Sequence, residues 1–414
     1  MAEFGKISEA EFQTFSREQA LGNFLQTTAM GHLRQDRGWQ SEYVALKKDG
    51  AILAAALLSS TKIRFGRYYE INGGPLLDFH DATLLAEFFQ AVKSYVKQQG
   101  GLYLTIVPNF VYQKRDDMGT PIAPAETKAF QQLQQLGFKH HGFTVGNHNE
   151  TPRWMFVKDL AGMDEQALWA SYSKSAQYSI KKTKEFGITL RQLTYEELPL
   201  FKEITEHTSE RRAFQDKDLA YYQSLFQEFG DQARFMVAEI DFDTYIANLE
   251  TKKQALAERL ADIDADLAKN PNSRKRRNQK REFEDERQTF VKRIAEAKEL
   301  RTGPGPVVLA GSLFILQPQE VVYLFSGSYD QYKKFYAPYL LQDDIMRTAV
   351  AAGIPKYNFY GVSGEFDGHD GVLKFKQSFS GYTEEMIGTF DLIVQPLKYQ
   401  IYQTLRGLVD KVRG

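Results

Sequence analysis

Two stretches of this chain carry the same succession of short apolar strands and one amphipathic helix, and this internal repeat restricts the fold more than any other feature. The first copy reads strand YVAL (43–46), turn KKDG (47–50), strands AILAAALL (51–58) and YYEINGGP (68–75), helix ATLLAEFFQAVKSYVKQQ (82–99) and strand LYLTIVPN (102–109). The second reads strand FMVAEI (235–240), a long insertion, strands VVLAGSLFI (307–315) and VVYLFSGS (321–328), helix PYLLQDDIMRTAVAAG (338–353) and strand YNFYGVSG (357–364). Setting Leu53 on Leu309, Gly74 on Gly327 and Leu102 on Tyr357 gives offsets of 256, 253 and 255, a near-constant spacing across three elements. The strands are rich in β-branched and aromatic residues, whereas the helices repeat apolar positions at i, i+3 and i+4. Each copy therefore predicts a mixed sheet covered by helices, an α/β arrangement.

A βββ-α-β succession resembles the order of acyl-CoA N-acetyltransferase (GNAT) domains, so two GNAT-like units in tandem are expected. The insertion stands where the second copy should have its hairpin turn. Residues 243–300 hold one Pro and no Gly, and they place Leu249, Leu256 and Ile263 at heptad intervals, with Leu260 and Leu267 on a second track. KNPNS (269–273) breaks this helix, and a second follows with Phe283 and Phe290 seven apart and Ile294 and Ala297 continuing the stripe. Two antiparallel helices of roughly 25 residues would form an arm about 35–40 Å long at 1.5 Å per residue. The expected organisation is a first unit over 1–150, a second unit over 151–242 and 303–395, the coiled-coil arm over 243–302 and a C-terminal helix over 396–414.

With 414 residues, 43% hydrophobic and 25% charged, the chain has the composition of a folded protein of two or three units. Its net charge of -1 means that any contact with nucleic acid comes from a local patch. The absence of Cys excludes disulfides, thiolate metal sites and cysteine nucleophiles. MAEFGKISEAEFQTF lacks the basic and apolar regions of a secretion signal, and no window approaches about 18 uninterrupted apolar residues. A cytoplasmic location is expected. LKYQIYQTLRGLVDKVRG (397–414) mixes apolar and basic residues, which suits a terminal helix packed on its domain or, less readily, contact with the inner face of a membrane.

Three basic clusters stand out. SKSAQYSIKKTKEFGI (173–188) carries Lys181, Lys182 and Lys184; the arm tip carries Arg274, Lys275, Arg276, Arg277, Lys280 and Arg281; GVLKFKQSFSG (371–381) carries Lys374 and Lys376. The first reads equally well as a solvated helix face or as a phosphate-contacting one, and the arm tip equally well as a solvated coiled-coil end or as a contact with RNA or anionic lipid. The third is expected as a short strand with Lys374 and Lys376 on one side and Phe375 opposite, beside a loop-built cleft. ERRAF (210–214), followed by Tyr221 and Tyr222, supplies a paired arginine, expected near the start of a helix and suited to bidentate contact with carboxylate or phosphate. No Walker A, G-x-G-x-x-G, H-E-x-x-H or G-x-S-x-G pattern is present, and neither copy has the R/Q-x-x-G-x-G/A loop that holds the CoA pyrophosphate. The histidines show no metal spacing, so neither metal nor cofactor is expected.

Over nearly its whole length the chain resembles the FemABX aminoacyltransferases, in the FemA/MurM/MurN-like branch with a helical arm. The resemblance rests on NFLQT (23–27), INGGPLLDF (71–79), LYLTIVPN (102–109), LGFKHHGF (136–143), TPRWMFVKDL (151–160), YSIKKTKEFGI (178–188), SERRAF (209–214), LFSGS (324–328) and above all YNFYGVSGEFDG…GVLKFKQSFSG (357–381). It implies transfer of an amino acid from aminoacyl-tRNA to the third-residue amine of a peptidoglycan stem, carried on lipid II or UDP-MurNAc-pentapeptide. Such an ester is already activated, so the protein need only position two anionic substrates and stabilise an oxyanion. By the same resemblance Lys376 is the catalytic-site lysine, with Phe375 beside it and Lys374 a neighbouring candidate. Arg211 matches an arginine for the muramyl phosphates, and Arg34 or His32 would assist, with Tyr222 a further substrate contact. Lys181, Lys182, Lys184 and Arg276 are the residues expected to meet tRNA. Several relatives have Asp before the Pro of the strand at 102–109; here Val107 stands there, and no general base is assigned. The competing readings are an N-acyltransferase using CoA or another carrier, against which the missing pyrophosphate loop counts, and a non-catalytic coiled-coil adaptor.

Overall fold

A computed structural model describes residues 2–146, 151–212 and 215–413, the side chains of Arg212 and of residues 407–413 apart. The strands are β1 (Glu3–Lys6), β2 (Gln40–Lys48), β3 (Ala51–Ile63), β4 (Gly66–Asn72), β5 (Gly101–Val107), β6 (Val111–Arg115), β7 (Phe138–His140), β8 (Trp154–Asp159), β9 (Thr189–Gln192), β10 (Ala233–Ile240), β11 (Val307–Leu316), β12 (Val321–Ser328), β13 (Lys356–Gly361), β14 (Tyr382–Met386) and β15 (Phe390–Ile393). They form two mixed sheets, β1-β2-β3-β4-β5-β15-β7 and β6-β14-β8-β13-β12-β11-β10-β9. The repeat is visible in both. β2-β3-β4-β5 and β10-β11-β12-β13 share one order, each with an antiparallel meander closed by a parallel last pair and a covering helix, Ala82–Gln98 or Ala337–Ala351.

The two sheets do not keep to the boundaries expected from the sequence. β6, from within 1–150, pairs with β14 at the edge of the second sheet, and β15, from within 303–395, lies between β5 and β7 in the first. Side chains explain the exchange. Phe390 and Leu392 of β15 are buried in the first core, and Asp391 between them accepts from Thr105 Oγ1 at 2.6 Å. In return Arg115 of β6 reaches the buried Glu385 of β14 at 2.7 Å, and Arg153 binds the other oxygen of that carboxylate. A third apolar core joins the sheets, with Phe12, Tyr43 and Leu57 from the first unit against Phe201, Phe235 and Leu313 from the second. Burial of apolar surface there, worth about 25 cal/mol per Å², makes the two units one body.

The insertion leaves the second sheet between β10 and β11, whose ends pair at Ile240 and Val307. It forms two helices, Phe242–Lys269 and Arg274–Leu300, each capped by a side chain, Asp241 or Ser273. Leu249 and Leu256 are buried in one cluster with Phe290, Ile294 and Ala297, and Leu260 and Ile263 are buried as well, whereas Leu267 and Phe283, nearer the tip, are only half-buried. At the root Phe242 and Tyr245 meet Phe335 of the body at 5.6 and 6.0 Å. The C-terminal helix, Pro396–Arg413, rests Tyr399 and Tyr402 on Tyr103 and leaves Leu397 80% and Ile401 52% exposed. Among the described residues no helix is long and apolar enough to cross a membrane.

Candidate active site

The site begins where two parallel strands part. β4 and β5 stay paired from Arg67 and Gly101 to Asn72 and Val107, but β12 and β13 pair only at Val321–Tyr357 and Val322–Asn358. Beyond that point Tyr360 adopts φ 64, a left-handed conformation uncommon for an aromatic residue, and the pairing of β13 with β8 slips between Asn358 and Gly361. The parting opens a cavity of about 960 Å³ between Tyr323–Ser328 on one side and Phe359–Ser363 on the other. The helix Leu198–Arg212 crosses this mouth closely: a Cβ on Gly327 would stand 2.3 Å from the Ile204 carbonyl oxygen, so only Gly fits.

Lys376 points into the cleft from a helix. Asp370 caps the segment Gly371–Gln377 by accepting from Val372 N at 2.7 Å and Leu373 N at 3.2 Å, and the KFK stretch is therefore helical and not the strand expected. At about 100° per residue, positions 374 and 376 fall on opposite sides. Lys376 is buried, and its Nζ donates to the carbonyl oxygens of Gly361 at 2.6 Å and Tyr360 at 3.3 Å. Lys374 is exposed and does not line the cavity, whereas Phe375 does, with its ring edge-on to Tyr339 at 4.9 Å and Phe379 at 5.5 Å.

Arg211 also lines the cleft, but from the C-terminal end of its helix and not near a start, because that helix already begins at Leu198 behind the Thr194–Glu197 capping box. The negative end of the helix dipole suits a guanidinium there. Arg211 is ion-paired with Asp330, which also takes Lys333 at 2.8 Å. Phe214, the residue that anchors the match of SERRAF, lies outside the described residues. Tyr222 is fully buried behind the cleft wall, donating to Asp216 Oδ1 at 2.6 Å, and it does not touch the cavity; burial and that carboxylate push its pKa up. Asp216 itself lines the cleft, its other oxygen taking Lys202 and Thr205 at 2.9 Å.

The N-terminal candidates lie elsewhere. Arg34 forms a two-point ion pair with Glu70 at 2.8 and 3.3 Å and stacks over Trp39, so its charge serves the first unit and not the cleft. His32 bridges Glu228 at 2.8 Å and Glu9 at 3.2 Å; burial disfavours its charged form, but these two carboxylates outweigh that and raise its pKa. Val107 ends β5 away from the cavity. Lys181, Lys182 and Lys184 lie on the helix Lys174–Phe186, Lys182 paired with Glu185 at 2.5 Å. Arg276 meets Asp266 at 2.5 Å and Lys280 meets Asp264 at 2.7 Å across the arm, so the tip's counter-charges come mainly from the facing helix. Among the described residues no group of three or more His, Asp or Glu side chains is placed to hold a metal ion. The sequence did not single out Tyr360, Gly361, Asp216 or Asp330; the proximity of Asp216 to the arginine pair was the one available signal.

A profile of the FemAB family matches residues 7–406. The chain belongs to the FemAB family. Aminoacyltransferase FemA of Staphylococcus epidermidis is 31% identical over 413 residues, covering 98% of this chain and 99% of that protein. Aminoacyltransferase FemA of Staphylococcus aureus is 30% identical over 417 residues, covering 99% of each. The crystal structure of FemX superimposes with a TM-score of 0.76 at 22% identity over 96% of this chain and 99% of that one, a likeness of fold. With the FemAB family comes the enzyme class: the chain is an aminoacyltransferase.

Proposed function

We propose that this FemAB enzyme builds peptidoglycan interpeptide bridges by moving an amino acid, Ala, Ser or Gly, from aminoacyl-tRNA to the stem-peptide lysine amine of a precursor. Lipid II is the favoured acceptor and UDP-MurNAc-pentapeptide the second. The observation that carries this reading is the buried Lys376 ammonium, held on the Gly361 and Tyr360 carbonyls inside a cleft that Arg211 also lines. A preorganised cation in the cleft acts where negative charge develops.

In the reaction the acceptor amine attacks the ester carbonyl carbon, forming the C–N bond while the carbonyl oxygen becomes an oxyanion beside Lys376. Collapse breaks the C–O bond to the ribose, and the proton lost by the amine ends on the released ribose oxygen, directly or through solvent. Arg211 supports the diphosphate of the acceptor, exchanging Asp330 for phosphate oxygens. Phe375 forms the wall beside the reacting ester. Lys181, Lys182 and Lys184 supply the basic face toward the RNA, and Arg276 at the arm tip a second contact. The exposed Leu397 and Ile401 support placement at the inner face of a membrane, where lipid II resides.

The test is transfer from a mixed pool of radiolabelled aminoacyl-tRNAs to lipid II and to UDP-MurNAc-pentapeptide. Label on lipid II from one amino acid supports the reading in full; label on the soluble precursor alone corrects the acceptor; none on either withdraws the donor.

A further inference from the structure

We propose that Tyr178, Tyr336, Tyr339 and Phe375 form a stacking path that receives the single-stranded 3′ end of the aminoacylated RNA and leads it to Lys376. The proposal rests on the aminoacyl-tRNA reading above and locates its donor.

Tyr178 is a large ring left 55% exposed on the helix Lys174–Phe186, where a core-forming tyrosine would be covered. Its ring meets Tyr336 at 6.3 Å, Tyr336 meets Tyr339 at 6.4 Å, and Tyr339 meets Phe375 at 4.9 Å, each pair edge-to-face. Such contacts fix the ring planes before any ligand arrives. Phe375 and Pro338, from the same short stretch as Tyr336 and Tyr339, line the cleft into which Lys376 points. The turn that sets this course is built by Tyr336, whose φ of 56 places it as the left-handed cap of the helix Ala337–Ala351. Cations accompany the outer end. Lys182 Nζ lies 5.6 Å from the Tyr178 ring, and Lys181 Nζ lies 5.7 Å from Trp169 on the neighbouring helix.

Aromatic rings in series beside lysines are the chemistry by which proteins hold single-stranded nucleic acid: stacking tolerates any base, and the lysines follow the phosphates. A lipid surface would instead select the aliphatic side chains Leu397 and Ile401, which belong to a different helix.

The probe is a fluorescent ribo-oligonucleotide with a single-stranded CCA 3′ end, titrated against the full-length protein at several salt concentrations. Tyr178→Ala is expected to weaken binding roughly tenfold, the order of one lost stacked base, and to leave the salt dependence unchanged. Tyr178→Phe is expected to bind as the parent does. Lys181→Ala is expected to lower the slope of log affinity against log salt by about 1. Equal affinity for Tyr178→Ala and the parent, or equal loss for Tyr178→Phe, overturns the path. So does a Tyr178→Ala protein that keeps the oligonucleotide but no longer sediments with phosphatidylglycerol vesicles. Transfer from aminoacyl-tRNA with unchanged KM in Tyr178→Ala removes the path and leaves the donor reading standing; no transfer by the parent removes both.

Discussion

The Nζ of Lys376 donates to the carbonyl oxygen of Gly361 at 2.6 Å, and that carbonyl faces the cleft because Tyr360, one residue earlier, is left-handed with φ 64. Asn358 holds the turn by accepting from Tyr360 N at 2.8 Å while its amide donates to buried Glu320 at 3.1 Å. The position of the ammonium thus depends on a backbone conformation costing on the order of 1–3 kcal/mol, maintained by the packing around it.

Substitutions at Tyr360 separate backbone from ring. Tyr360→Gly adopts φ 64 without strain, and it is expected to lower the melting temperature through loss of packing on Phe24 while keeping kcat within a few-fold. Tyr360→Val resists that conformation and is expected to lower kcat at least tenfold. Steady-state kinetics with circular dichroism checks both, and a fully active valine variant would show that the turn does not position Lys376.

Asp330 holds Arg211 in an ion pair, which acceptor phosphates would have to displace on the reading proposed above. Asp330→Asn is expected to lower KM for the diphosphate-bearing acceptor several-fold with kcat unchanged, and Arg211→Ala to raise that KM, the pattern of a contact made equally in ground and transition states. Initial-rate measurements over a range of acceptor concentrations decide it.

His32 ties three helices through Glu9 and Glu228, and its pKa is raised in the folded protein. The sign follows from linkage: the folded state holds the proton more tightly, so this stabilisation is complete below the ordinary histidine pKa of about 6.5 and is lost as pH rises through the higher folded value. Denaturation midpoints of the parent and His32→Gln are expected to differ most in mild acid and to converge above neutrality.

At the arm tip Arg276 and Lys280 spend their charge on Asp266 and Asp264. Solvent screens exposed pairs of this kind, so a double Asp264→Asn, Asp266→Asn variant is expected to fold normally. If the tip meets RNA, its affinity for full-length tRNA increases and the salt dependence steepens; filter binding measures both.

The repeat and the arm were legible because both are written as periodicities: β-rich runs in a fixed order and leucines seven apart. The strand exchange was not, since β6 and β15 are five and four residues long and find their partners hundreds of residues away, as Arg115 finds Glu385. GVLKFKQ alternates apolar and basic residues and so imitates a strand; the preceding Asp370, a strong helix cap, was the signal that pointed to a helix. Arg34 looked available for substrate because Glu70, its ion-pair partner, stands 36 positions further along the chain. An aromatic residue in a β-rich run likewise announces nothing of the left-handed turn at Tyr360.

The most direct test of the account is the single-turnover rate of amino acid transfer from aminoacyl-tRNA to lipid II, measured for the parent and for a Lys376→Ala protein of unchanged near-ultraviolet dichroism. Loss of an oxyanion-stabilising group predicts a fall of about 10²–10³-fold in that rate with little change in acceptor KM. A folded Lys376→Ala enzyme that transfers at the parent's rate would contradict it.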